Sequence, residues 1–140
     1  LDRITLLRVK LQVRYADQPA YIFADPQKMK MAFLNIIINA VEAMEEERGE
    51  LTIIISTDSR KHTVHINDNG SGISEENLSR LFEPYFTSKR NGLGLGLAAT
   101  LNILQSHKAH IDVSSALNKG TFFTITFPAH VTTSVQEIER

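Results

Sequence analysis

Cysteine and tryptophan are both absent from the 140 residues. The first absence excludes disulfides and thiolate metal sites. An excess of one charge is missing too: 15 basic against 16 acidic residues leave a formal charge of −1. A near-neutral chain has no field to attract nucleic acid or an anionic membrane, so neither is expected as a partner and any anion site has to be local. No apolar run approaches the roughly 20 residues that span a bilayer, and the first residues do not read as a signal peptide. The chain opens on Leu1-Asp2-Arg3-Ile4 without a start methionine, which reads as a piece of a longer protein. There is no internal repeat and no low-complexity segment. What is present, 42% apolar and 22% charged residues, suits one globular domain with a core of its own.

The order of elements predicts an α+β fold. Residues 1–10 read as the end of an upstream linker, helix or strand, residues 11–128 as the domain, and residues 129–140 as a polar tail. Leu11–Tyr15 and Ala20–Ala24 flank the turn signal Asp17-Gln18-Pro19 and read as short strands. Asp25-Pro26 is a helix start, with Asp as N-cap and Pro at the first position; that helix is predicted to run to about Glu46, with Gly49 just past its end. Leu51–Thr57 and His62–Asn67 read as a hairpin. A glycine-rich loop follows over Asp68–Ile73, then a short helix capped by Ser74 that ends near Pro84. Leu93–His107 reads as a second long helix, and Ile111–Ser115 with Thr121–Phe127 as a closing hairpin around Asn118-Lys119-Gly120. This is no regular βαβ alternation. It predicts a two-layer sandwich, a mixed sheet of about five to six strands covered on one face by about three helices.

Three places carry chemistry. At about 100° per residue, Lys28, Asn35, Asn39, Glu42 and Glu46 fall on one stripe of the first long helix. A solvated face explains that stripe. However, Asn is a mediocre helix former, and two at i, i+4 stack amide oxygens that can ligate a hard cation or bond phosphate. Alternation along His62–Asp68 puts Val64, Ile66 and Asp68 on one face, so a carboxylate ends an apolar row and needs a donor there. An amino group on a flat heterocycle is one such donor; a turn carboxylate in Asp-Asn-Gly is the other explanation. Gly70 and Gly72 follow and let backbone approach a ligand closely. Third, Gly92, Gly94 and Gly96 alternate into an apolar helix, whose free N–H groups and positive dipole end suit phosphate. No Gly-Lys-Ser/Thr follows and the βαβ context is lacking, so this is neither a Walker loop nor a Rossmann fingerprint. Between the two loops lies Leu81–Lys89, aromatic and then basic. Thr121, Phe123, Ile125 and Phe127 share a face of the last strand.

Taken together, Asn35-x-x-x-Asn39-Ala40, Asp68-x-Gly70-x-Gly72, Phe82-Glu83-Pro84-Tyr85-Phe86, Gly92-Leu93-Gly94-Leu95-Gly96 and Gly120-Thr121 resemble, in order, the asparagine, first glycine, phenylalanine, second glycine and final Gly-Thr boxes of the histidine-kinase catalytic domain. That domain has the Bergerat fold shared with gyrase, HSP90 and MutL. The resemblance covers roughly residues 10–128. It implies that Asn39 ligates Mg²⁺ on the ATP phosphates, with Asn35 contacting phosphate or metal through water. It implies Asp68 as acceptor for the adenine amino group, helped through water by Gly72 and Thr121, with Gly70 in the same loop and Ile73 and Ala43 lining the base pocket. Gly92, Gly94, Leu95, Gly96 and Leu97 would wrap the triphosphate, and Phe86 would anchor a short lid containing Ser88 and Lys89, similar to that of nitrogen-regulation kinases.

The chain departs from the pattern at Glu42, where many members carry a basic residue nearby, and at Leu93, where a small hydroxyl residue is usual. The first shifts phosphate charge to Lys89 or Arg90. Hydrolysing members resemble one another in a Glu four residues before the metal Asn; here that position is Asn35, which favours transfer over hydrolysis. None of His62, His65, His107, His110 and His130 precedes an acidic residue as an acceptor histidine does. The resemblance therefore implies a phosphoacceptor on a separate helical domain of the same protein, a homodimeric parent acting on a response regulator, and a monomeric fragment without direct membrane contact. It implies a cytoplasmic location, as the inner part of a membrane-anchored sensor if the parent has a span. The alternatives are a degenerate nucleotide- or partner-binding module, a superfamily ATPase, and a serine-directed anti-sigma kinase. Asn35 argues against the ATPase and the Phe82–Phe86 segment against the last.

Overall fold

Side-chain alternation in the β-rich segments builds the sheet. The computed structural model of the protein describes residues 9–45, 47–84, 86 and 96–129. Five strands are formed: β1 (Lys10–Arg14), β2 (Glu50–Thr57), β3 (Lys61–Asp68), β4 (His110–Ala116) and β5 (Gly120–Pro128). Their order across the sheet is β1-β2-β3-β5-β4. β1 pairs with β2 in parallel, and every other pair is antiparallel, so the sheet is mixed. Three helices accompany it among the described residues: α1 (Pro26–Glu42), α2 (Glu75–Leu78) and α3 (Gly96–Ser106). The α+β sandwich expected from the element order is present.

The core lies between the sheet and the two longer helices. Leu51, Ile66, Phe123, Ile125 and Phe127 point into it from the strands, and Ile36, Ala40 and Val41 from α1. α3 adds Leu97 and Leu104, the latter fully buried. The other sheet face carries Thr63, His65 and Asn67, half-buried. There His65 Nδ1 lies 3.2 Å from Thr124 Oγ1 of β5.

α1 begins as its sequence dictates. Asp25 Oδ1 accepts from the N–H groups of Gln27 at 3.0 Å and Lys28 at 3.2 Å, with Pro26 at the first helical position. The Asp25 N–H donates to His107 Nε2 at 3.1 Å, and the same ring's Nδ1 lies 2.7 Å from the Ile103 carbonyl. Nε2 can accept only unprotonated, so the ring is the neutral Nδ1–H tautomer bridging the end of α3 to the start of α1.

Two expectations are corrected. Ala20–Ala24 is not a strand. The His62 Nε2–H donates to the Tyr21 carbonyl at 3.0 Å, and His107 takes the Asp25 N–H, so side chains satisfy backbone groups that a ladder would otherwise pair. Tyr21 and Phe23, placed on alternate positions like a strand's outer row, are exposed. Second, α1 stops at Glu42, short of Glu46, which lies outside the described residues. The Ala43 carbonyl accepts from the Ser71 N–H at 2.9 Å. The loop after β3 thus caps the helix from 28 residues away in sequence, a contact no local pattern announces.

Candidate nucleotide site

The site forms where β3 ends. Asp68, the last residue of β3, is 4% exposed and Thr121, its register partner on β5, is equally buried. Both close the floor of a cavity of about 190 Å³. α1 contributes Asn39, Ala40 and Glu42, with Ala43 beyond its end. The loop after β3 contributes Ser71, Gly72 and Ile73, while Leu81, Leu97 and Phe123 complete the apolar wall. A carboxylate kept in such a place has to be met by donors. Among them is the Gly70 N–H, which donates to Asp68 Oδ1 at 2.8 Å.

The two glycines of this loop meet the chain's own backbone. A Cβ on Gly70 would stand 2.6 Å from the Ala43 carbonyl oxygen. Gly72 has φ +74 and a Cβ there would stand 2.0 Å from the Ala116 carbonyl oxygen. The close approach seen here is to the chain's own backbone, and Gly72 also lines the cavity. The loop is pinned further by Asn69, whose Oδ1 accepts from the Glu50 N–H at 2.8 Å and whose Nδ2 donates to the Arg48 carbonyl at 3.0 Å. Ser71 O accepts from the Asn118 N–H at 2.7 Å.

Asn39 donates its amide N–H to the Asn35 carbonyl at 2.9 Å. That fixes the amide plane at the cavity mouth. An amide oxygen such as that of Asn39, with phosphate and water oxygens, belongs to the hard-oxygen set that Mg²⁺ favours. The residues present therefore fit a nucleotide-borne Mg²⁺, which needs only one or two protein ligands. Among the described residues no group of three His, Cys, Asp or Glu is placed to hold a metal. Asn35 itself is turned to α3: its Nδ2 lies 3.4 Å from both the Gly96 carbonyl and Thr100 Oγ1. It therefore joins α1 to the start of α3.

Asn39, Ala43, Asp68, Gly72, Ile73, Leu97 and Thr121 are thus brought to one cavity. Asn35, Gly70 and Gly96 do not line it; Gly70 bonds Asp68, and Asn35 bonds Gly96. Phe86 is half-buried, with the Arg80 guanidinium 4.8 Å from its ring centre. Ser88, Lys89, Gly92, Gly94 and Leu95 lie outside the described residues. Sequence reasoning missed Ala40, Glu42, Ser71, Leu81 and Phe123 as lining residues. Phe123 could have been found, because it follows Thr121 by two on the same strand face. Larger hollows of about 870 and 750 Å³ lie at the opposite end of the sheet, around Tyr15–Pro19 and His62. Neither contains a buried carboxylate, so the chemistry favours the smaller one.

A buried acid in a pocket between the sheet and α1 is a feature that a flat heterocycle with a donor on its edge could use, as in a nucleotide-binding domain. The chain belongs to the histidine kinase-, DNA gyrase B- and HSP90-like ATPase family, whose model matches residues 24–131. Sporulation kinase A of Bacillus subtilis is 42% identical over 118 residues, 84% of this chain and 19% of that protein. The sensor histidine kinase ZraS of Escherichia coli is 34% identical over 125 residues, 88% of this chain and 27% of that protein. The chain therefore spans about a fifth to a quarter of these curated relatives. Among solved structures, the catalytic domain of histidine kinase ThkA superposes with a TM-score of 0.79 at 27% identity, covering 91% of this chain and 84% of that one. The histidine-kinase branch of the family, marked by the ordered boxes in the sequence, is the one these relatives represent.

Proposed function

We propose that this domain binds ATP with Mg²⁺ and donates the γ-phosphate to a histidine on a separate helical domain of its parent protein. The observation that supports it most is Asp68, a carboxylate 4% exposed at the floor of an apolar pocket. It is an acceptor suited to the 6-amino group of adenine. Asn39 at the mouth offers the amide oxygen for Mg²⁺, which would neutralise phosphate charge. The start of α3, beside Asn35, presents N–H groups for the phosphates.

In the transfer, the bond from the β,γ-bridging oxygen to the γ-phosphorus breaks and one from an imidazole nitrogen to that phosphorus forms. The imidazole proton leaves to solvent or a neighbouring acid, and ADP departs with the electron pair. Such a reaction needs alignment and charge neutralisation more than a water-activating base. Asn35 stands four residues before Asn39, where a base for hydrolysis would be, and its amide is committed to α3. Transfer to an acceptor is therefore favoured over hydrolysis.

Asp68→Asn tests the base-recognition step. It keeps the shape and removes the charge of the acceptor, a loss of about 1.5–3 kcal/mol for a hydrogen bond to a charged group. Calorimetry on the chain should show ATP affinity reduced about ten- to a hundredfold. Unchanged affinity would remove Asp68 from the nucleotide site.

A further inference from the structure

We propose that Ser115 is a positioning residue for base recognition: its hydroxyl sets the hydrogen-bond polarity that Thr121 presents to the nucleotide. The inference rests on the ATP reading above and extends it to a residue outside the pocket lining.

Ser115 is half-buried on β4, on the inward face. Its Oγ has three polar neighbours. The Ile73 N–H donates to it at 2.8 Å. It donates to the Gly120 carbonyl at 2.9 Å. Thr121 Oγ1 lies 2.8 Å away. A hydroxyl has one proton and two lone pairs. With the proton on Gly120 O, both lone pairs are filled, one by Ile73 N–H and the other by the Thr121 O–H. Thr121 then turns only lone pairs toward the cavity, beside Asp68. The reverse arrangement, Ser115 donating to Thr121, would leave the Gly120 carbonyl without this donor. The three contacts are satisfied together in the first arrangement alone.

That polarity matters for the base. Asp68 and Thr121 face the same pocket from paired strand positions. Adenine presents an amino donor next to a ring-nitrogen acceptor, whereas hypoxanthine presents an oxo acceptor next to an N–H donor. A locked Thr121 allows one ordered arrangement of ring, bridging water and carboxylate. A Thr121 hydroxyl released from Ser115 rotates and serves either edge. Ser115 also holds Ile73, so its loss loosens the wall of the pocket through the same atom.

The test compares ATP with inosine triphosphate by calorimetry on the chain. Wild type is expected to bind ATP more tightly. In Ser115→Ala the affinity for ATP should fall about three- to tenfold, the range for one neutral hydrogen bond, and the ratio between the two nucleotides should move toward one. Ser114→Ala, on the exposed face of the same strand, should change neither. Should Ser115→Ala fail to fold, Ser115→Cys keeps the volume with a weak donor and should narrow the ratio in the same direction. In a Thr121→Val background the substitution at Ser115 should leave the ratio unmoved. Equal losses for both nucleotides, with the ratio kept, would make Ser115 a structural residue only and overturn the inference. Wild type without preference for ATP would overturn the ATP reading itself.

Discussion

Gly72 is constrained twice. Its φ of +74 lies in the left-handed region, and the Ala116 carbonyl occupies the space a Cβ would take, at 2.0 Å. The conformation alone costs an ordinary residue about 1–2 kcal/mol, and the contact adds to it because backbone, not a flexible side-chain tip, has to move. Gly72→Ala should therefore lower stability by at least about 1–2 kcal/mol, measured by denaturant unfolding. Gly96 makes the contrast. A Cβ there would meet Asn35 Cγ at 3.5 Å, an ordinary contact, and Ala is the better helix former by about 1 kcal/mol. Gly96→Ala should unfold no more easily than wild type. If both variants behaved alike, the tight turn against β4 would be the wrong description. That both residues are glycine was visible in the sequence. That one stacks on a backbone 44 residues away and the other on a side-chain amide was not, because tertiary contacts set the difference.

The same division holds for the elements. The hairpins were legible, since Asp58–Lys61 and Leu117–Gly120 carry turn residues between alternating rows. So was the start of α1, where Asp25 and Pro26 act locally. Two things escaped. The end of α1 depends on Ser71 reaching Ala43, and the irregular stretch before α1 depends on His62 and His107 supplying partners that a strand would have found in a ladder. The β2–β3 turn gives a prediction at this scale. Asp58 Oδ1 accepts from the N–H of Arg60 at 2.7 Å and of Lys61 at 2.9 Å. These two bonds, Arg60's first, hold its carboxyl below the usual carboxylate range. A pKa lowered by folding stabilises the protein above the unfolded value and is lost as pH falls through the folded one. Asp58→Asn keeps an acceptor but cannot titrate. Its stability, followed by thermal melts from pH 6 down to about pH 3, should fall less steeply than wild type at the acid end. An unchanged acid limb would mean that the turn does not depend on the ionised side chain.

At the scale of the whole molecule, the proposed phosphotransfer divides into a nucleotide-binding half and an acceptor half, and the proposal gives this chain the first. Nucleotide that binds only the folded state raises stability by about 2.7 kcal/mol at a hundredfold excess over the dissociation constant. For a domain of this size that corresponds to a rise in melting temperature of about 10 °C. The chain should show such a rise with ATP and Mg²⁺, and Asp68→Asn should shift it to higher nucleotide concentrations. It should not take up the γ-phosphate. Among the described residues, the ring nitrogens of His62 face Thr57 and the Tyr21 carbonyl, and those of His107 face the Asp25 N–H and the Ile103 carbonyl. His65 faces Thr124 on the outer side of the sheet, and His110 lies at 3.3 Å from Asp112 on the surface. None of the four lines the pocket. A nucleotide seated on Asp68 with its phosphates toward the start of α3 therefore has no imidazole among them within reach for an in-line transfer. Under the proposed function the acceptor then comes from another domain. Incubation with γ-labelled ATP should leave the isolated chain unlabelled while an added helical domain bearing the parent's acceptor histidine takes the label. Label on a histidine of the isolated chain would show that the acceptor lies within these 140 residues and that the division of labour proposed for the parent is wrong.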